Sequence, residues 1–127
     1  MNYRILIVDD SPLLRATARR AVLQAGVAPE HVREACNGKE ALEALAKAPA
    51  DIVLLDINMP VMDGYQFVEE KAKNPTLATT KVALVTTEGN KKRLERMTQL
   101  GVTHYLRKPF EPEELRALVT ELFQGKA

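Results

Sequence analysis

The sequence predicts an α/β domain in which five strands form an open, doubly wound parallel sheet, a (βα)5 chain. Five short apolar runs alternate with five stretches of helical period, the pattern that parallel strands joined by crossover helices produce. Three of those runs are nearly continuous in Leu, Ile, Val and Ala, as strands covered on both faces are. The 127 residues, 46% of them hydrophobic, suffice for one core without a disulfide or metal staple.

The runs are "YRILIV" (3–8), "HVREAC" (31–36), "DIVLL" (51–55), "KVALVT" (81–86) and "VTHYLR" (102–107). The second and fifth are more polar and read as edge strands. Helix signals are independent of these. Pro12 suits a first helical position, Ala18, Ala21, Val22 and Ala25 follow on one face, and Gly26 is a stop. Asn37 followed by Glu40 is a variant capping box ahead of Ala41, Leu42 and Leu45. From Gly64 to Lys73 the residues Phe67, Val68 and Ala72 share a stripe that Asn74-Pro75 closes. A fourth helix, over about 90–100, carries Leu94, Met97 and Leu100 before Gly101. The last begins near Pro112 and continues through Leu115, Leu118, Val119, Leu122 and Phe123, a full helical stripe. With no repeat, low-complexity tract or linker, residues 1–127 read as one domain.

Charge and cysteine usage narrow the function classes. A net charge of +1 argues against a broad nucleic-acid footprint. The single Cys36 excludes an internal disulfide and suits a reducing compartment. No apolar run approaches the roughly 20 residues of a membrane span, and "MNYRILIVDD" lacks the pattern of a signal peptide. A cytoplasmic protein without membrane insertion is the expectation.

The chemistry gathers after the strands, because ligands of doubly wound sheets bind outside the carboxyl ends of the strands. Asp9 and Asp10 follow the first strand, Asp56 the third, Thr86 ends the fourth and Lys108 lies just past the fifth. Two carboxylates about 4 Å apart repel by about 4 kcal/mol at an effective dielectric near 20. A divalent cation offsets that cost, and magnesium, needing only one or two carboxylates plus a phosphate oxygen, suits a site that receives a phosphoryl group. A carboxylate is a competent nucleophile for this transfer, and a lysine and a threonine can hold the equatorial oxygens. Taken singly, each residue has a structural role: Asp10 or Ser11 as a helix cap, Asp63-Gly64 as turn and cap, Thr86 as a β-branched strand residue, Lys108 as a solvated charge. Their joint placement at one sheet edge favours a site.

These residues resemble the receiver domain of bacterial response regulators in its single-domain, CheY-like form. The resemblance covers essentially the whole chain, through "ILIVDDS", "DIVLLDINMPVMDG", "VALVTTEG" and "YLRKPF". It implies strand order 2-1-3-4-5 and a two-component switch rather than an enzyme, in which a histidine kinase phosphorylates Asp56 in a magnesium-dependent step. It further implies that Asp10 ligates the magnesium directly, Asp9 largely through water, and Asn58 through its backbone carbonyl. Lys108 would pair with Asp56 and then with the phosphate, ahead of a cis bond to Pro109. Thr86 would move toward the phosphoryl group, with Tyr105 turning inward or outward as it does. The fourth helix, fifth strand and fifth helix would bind an output protein. Asn58 and Glu88, two residues past Asp56 and Thr86, form the pair of chemotaxis regulators and imply a short-lived phosphoryl state. Thr87 departs from the small residue usual at its position, which bears on phosphodonor entry and hydrolysis.

Other candidates read as structural. His31 and His104 lack partners at zinc-ligand spacing and read as solvated polar residues. Cys36 reads as a small buried residue, Met59 and Met62 as packing beside the pocket, and "KKRLER" (91–96) as a charged helix face bordering the output surface. Competing functions are a phosphorelay carrier or phosphate sink, the receiver of a longer regulator, and a magnesium phosphatase. The last usually wants an acid where Asn58 stands.

Overall fold

Five strands, β1 (Ile5–Val8), β2 (Val32–Ala35), β3 (Ile52–Leu55), β4 (Lys81–Thr86) and β5 (His104–Arg107), pair in parallel in the order β2-β1-β3-β4-β5. Helices α1 (Pro12–Gln24), α2 (Gly38–Lys47), α3 (Gly64–Ala72), α4 (Lys91–Gln99) and α5 (Pro112–Gln124) make the crossovers. The structure is a computed structural model that describes residues 3–87 and 89–124. The expected strand order is present, and the two polar runs are the edge strands.

Period-two alternation divides the strands between two cores. Leu6, Val8, Val53, Leu55, Val82 and Leu84 face Ala41 and Leu45 of α2, Phe67 and Val68 of α3, and Met97 of α4. Ile5, Ile7, Ile52, Leu54, Ala83 and Val85 face Ala18, Ala21 and Val22 of α1 and Leu115, Leu118, Val119 and Leu122 of α5. Every residue of β1 and β3 is buried, which is why those segments read as unbroken aliphatic runs. A large apolar side chain taken fully out of water contributes about 1.5–3 kcal/mol before entropy is charged against it.

The caps fix where each helix leaves the sheet edge. Ser11, not Asp10, caps α1, its Oγ accepting from the Leu14 amide at 3.2 Å. Asn37 caps α2 through the Glu40 amide, but the Glu40 carboxylate reaches the Cys36 amide instead of completing a box with Asn37. Asp63 and Gln66 form a full capping box on α3, and Asn90 caps α4. Two 3-10 turns, Pro29–His31 and Pro75–Leu77, lead into β2 and toward β4. Cys36 is only half-buried, because it stands past the end of an edge strand. Its thiol donates to Glu40 Oε2 at 3.0 Å, and that bond pushes its pKa up. Both histidines are partly buried instead of solvated: His104 Nδ1 lies 2.8 Å from the Thr103 hydroxyl, and His31 Nδ1 is buried without a hydrogen-bond partner among the described residues. Met59 is buried, with Met62 packed against the same core.

Candidate functional site

Sheet register sets the site. Val8 pairs with Leu55, so Asp9 and Asp56 leave adjacent strands side by side; Thr86 pairs with Arg107, so Lys108 emerges next to Thr86. Main-chain bonds continue past the strand ends, from Asp56 N to Val8 O (2.9 Å), Asp9 N to Ala35 O (3.1 Å) and Lys108 N to Thr86 O (2.9 Å). The backbones carrying these side chains are therefore fixed by the sheet itself.

Carboxylate oxygens of Asp9, Asp10 and Asp56 lie within 4.8 Å of one another. Asp9 and Asp56 are each 6% exposed, Thr86 is fully buried, and Asp10 stands exposed at the mouth. Asp9 Oδ1 accepts from the Ser11 amide (2.9 Å), and Asp56 Oδ1 from the Ile57 amide (2.8 Å). Lys108 Nζ is 2.7 Å from Asp9 Oδ2 and 3.6 Å from Asp56 Oδ2, so its closer partner is Asp9 and not Asp56. Burial pushes the Asp56 carboxyl above its ordinary value of 3.8. The Lys108 ammonium pulls it back, the Asp9 carboxylate adds to the rise, and hydrogen bonds from Thr86 and the Ile57 amide favour the ionised form. The Lys108–Pro109 bond is cis.

The loop after Asp56 is tightly bound to its neighbours. A side chain at Gly64 would place Cβ 2.5 Å from the Asp56 carbonyl oxygen and 2.7 Å from Ile57 Cα. Glycine here lets the Gly64 amide reach Ile57 O at 2.8 Å. Farther along, Met62 N donates to Pro60 O (2.8 Å), closing a γ-turn around Val61, whose φ is +71°. The Gly38 amide of α2 donates to Met62 O, also at 2.8 Å.

The remaining expected residues sit around this centre. Asn58 is exposed two residues past Asp56, Thr87 is exposed directly after Thr86, and Tyr105 is 40% exposed on β5. Glu88 lies outside the described residues. Arg15 escaped the sequence reading: its guanidinium donates to the Asp9 carbonyl at 2.7 Å and pairs with Glu34 at 3.0 Å. Its signal was a basic residue one turn into a helix that starts beside carboxylates, since helical side chains lean toward the N-terminus.

Three carboxylates against one ammonium leave the cluster net negative. Oxygen-only donors at this spacing fit a hard divalent cation, with magnesium the natural size where an incoming phosphate oxygen completes the shell.

A doubly wound parallel sheet with a carboxylate cluster at the carboxyl ends of its central strands defines a class of α/β domain that binds ligands at this edge. Within that class the chain belongs to the response regulator receiver domain family, whose profile matches residues 5–120. It is 30% identical over 122 residues to the probable chemotaxis protein CheY of Rhizobium etli, covering 96% of this chain and 93% of that one. The high-resolution structure of the chemotaxis response regulator CheY4 of Vibrio cholerae superposes with a TM-score of 0.85 at 32% identity, covering 96% of this chain and 99% of that one. Other relatives are longer. Against the protein-glutamate methylesterase/protein-glutamine glutaminase 1 of Methanosarcina acetivorans the identity is 36% over 119 residues, 94% of this chain but 34% of that one. The chain is thus a two-component receiver. No helix among the described residues is long and apolar enough to cross a membrane.

Proposed function

We propose that Asp56 accepts a phosphoryl group from a phosphohistidine of a sensor kinase, and that the resulting change is read by a partner protein on the α4–β5–α5 face, in chemotaxis. The observation that carries this is the placement of one buried carboxylate, Asp56, between a second buried carboxylate, a lysine ammonium and a buried threonine hydroxyl. Asp9, Asp10 and Asp56, with the Asn58 carbonyl, would hold magnesium. When bound, the ion neutralises charge on the phosphoryl oxygens and on the carboxylates around them.

An oxygen of ionised Asp56 attacks phosphorus in line with the departing nitrogen. The phosphorus–oxygen bond forms as the phosphorus–nitrogen bond breaks, and the imidazole, protonated on its other ring nitrogen, takes the electron pair of that bond and departs as the neutral ring. Lys108 is near enough to Asp56 to turn from Asp9 toward the phosphoryl oxygens. Thr86, at the C-terminal end of β4, offers its hydroxyl to another. The added charge of about −1.5 to −2 draws both groups inward. Lys108 follows β5, and Thr86 leads through Thr87 into α4, so the pull reaches both elements. Between them lies a groove of about 420 Å³ whose apolar lining includes Leu84, Leu94, Val102 and Tyr105, with Lys91 at its rim. Of the "KKRLER" cations, Arg93 instead packs over the Tyr65 ring at 5.3 Å.

On this reading residues 1–127 act as one receiver domain, a cytoplasmic switch that assists its own phosphorylation and dephosphorylation. Asn58 and Glu88 favour rapid loss of the phosphoryl group, while Thr87 narrows the mouth. Intact mass after incubation with magnesium and acetyl phosphate tests it. One phosphoryl adduct is expected, dependent on magnesium, absent in Asp56→Asn and gone within minutes of donor removal. An adduct that persists in Asp56→Asn overturns the assignment. Phosphorylation-independent behaviour of the α4–β5–α5 face, with rapid return of phosphoryl to histidine, would mark a relay or sink.

A further inference from the structure

Each polar atom of Asp9 has a partner. Its amide donates to Ala35 O of β2 (3.1 Å), its Oδ1 accepts from the Ser11 amide (2.9 Å), and its Oδ2 takes Lys108 Nζ (2.7 Å). The fourth bond comes from outside the pocket: Arg15 Nη1, one turn into α1, donates to the Asp9 carbonyl at 2.7 Å. That carbonyl belongs to the peptide joining Asp9 to Asp10, and a peptide is planar, so holding it limits the directions in which both side chains leave. Asp10 depends on this more than Asp9 does. Its carboxylate is exposed and, among the described residues, makes no hydrogen bond or ion pair, so the backbone alone aims it.

The guanidinium is itself held in place. Its Nε lies 3.0 Å from Glu34 Oε1 on β2, and the Arg15 side chain is only 19% exposed. The ion pair also answers an electrostatic objection, since a bare guanidinium beside a cation site would repel the ion; Glu34 offsets the charge and leaves the donor. Packing by itself does not require the bond to Asp9 O. Arg19 already ties α1 to β2, its Nη1 donating to Val32 O at 3.1 Å.

Resting on the reading of Asp9, Asp10 and Asp56 as the magnesium site, we propose that Arg15 is a positioning residue for that site, which holds the Asp9–Asp10 peptide so that the Asp10 carboxylate is presented to the cation in advance. Without it, ordering that peptide falls to the binding step and weakens the metal's hold. Groups that orient metal ligands from outside the coordination shell commonly change affinity by about ten- to a hundredfold. Arg15 bonds to the Asp9 main chain and to Glu34, not to Asp56 or Lys108, so its effect falls on how much magnesium the site needs and not on the transfer itself.

Magnesium titration of the metal-free full chain, followed by amide NMR shifts, measures the dissociation constant directly, and acetyl phosphate labelling across magnesium concentrations measures its use. The variants are Arg15→Gln, Arg15→Lys and, as a control that loosens α1 without touching Asp9, Arg19→Gln. Arg15→Gln is expected to raise the dissociation constant about tenfold and to regain the wild-type labelling rate at saturating magnesium. Arg15→Lys keeps a charged donor and should recover most of the affinity, while Arg19→Gln should bind as wild type. Unchanged affinity in Arg15→Gln overturns the proposal, as does an equal loss in Arg19→Gln, which would make the effect one of helix displacement. A labelling deficit that persists at saturating magnesium overturns it too, because it would place Arg15 in the transfer step or the fold. Failure of the magnesium reading itself shows separately, as wild-type affinity in Asp10→Asn.

Discussion

Lys108 Nζ lies 2.7 Å from a carboxylate oxygen of Asp9, nearer than the 3.6 Å that separates it from Asp56. The ammonium therefore neutralises the neighbour more than the proposed phosphoacceptor. Asp56 keeps a carboxyl raised chiefly by burial, with the Lys108 ammonium 3.6 Å from its Oδ2.

The raised carboxyl makes stability depend on pH in a definite sense. Folding favours the protonated Asp56, so its contribution is fully present below the unfolded value near 3.8 and is lost as pH rises through the folded pKa. Asp56→Asn removes that penalty. Urea unfolding near neutral pH should find the variant about 0.5–2 kcal/mol more stable than wild type, and the difference should vanish once the solution is more acidic than the unfolded carboxyl.

Magnesium should stabilise the folded chain by mass action, by about 2.7 kcal/mol at a hundredfold excess over its dissociation constant. Thermal unfolding with and without the ion measures this. Asp10→Asn should lose most of the effect while leaving the metal-free Tm nearly unchanged, because Asp10 is exposed and is not the α1 cap. Stripping the metal with a chelator should return wild type to the variant's midpoint.

Gly64→Ala should destabilise the chain by about 1–3 kcal/mol, since the new Cβ meets main-chain atoms that cannot rotate away. Its clash is with Asp56 O and Ile57 Cα, so phosphorylation by acetyl phosphate should fall further than stability alone explains. A variant that keeps the wild-type adduct yield would show that the α3 N-terminus tolerates displacement.

Val61→Gly should stabilise the chain by about 1 kcal/mol, because glycine adopts φ of +71° without the steric penalty of a β-branched residue, even after its larger unfolded entropy is counted. A lower denaturation midpoint would mean that the Val61 side chain finds compensating contacts in the folded state.

Much of this site could be read from the amino acids alone. Strands covered on both faces announce themselves as aliphatic runs, and whatever polar residue follows each run must stand at the carboxyl edge. Asp9, Asp56, Thr86 and Lys108 were legible for that reason. Choices decided by tertiary distance were not. Nothing local told Ser11 from Asp10 as the α1 cap, or Asp9 from Asp56 as the nearer partner of Lys108. Cys36 read as buried because strand ends usually are, whereas β2 is an edge strand and leaves it half-open. The left-handed backbone at Val61 was invisible, since a valine gives no hint of a position that the Gly38–Met62 bond imposes from another element.

The ion pair between Asp9 and Lys108 joins residues 99 positions apart in sequence. Contacts of such long range form late, after much loop entropy has been given up. During synthesis the first acidic residues leave the ribosome long before their counter-ion does. A nascent or prematurely ended chain that stops before residue 104 carries Asp9, Asp10 and Asp56 without the ammonium that offsets them, and without β5 to complete the sheet. Competence at this pocket thus doubles as a certificate of complete folding: a misassembled copy, lacking its last strand, would be silent rather than falsely active.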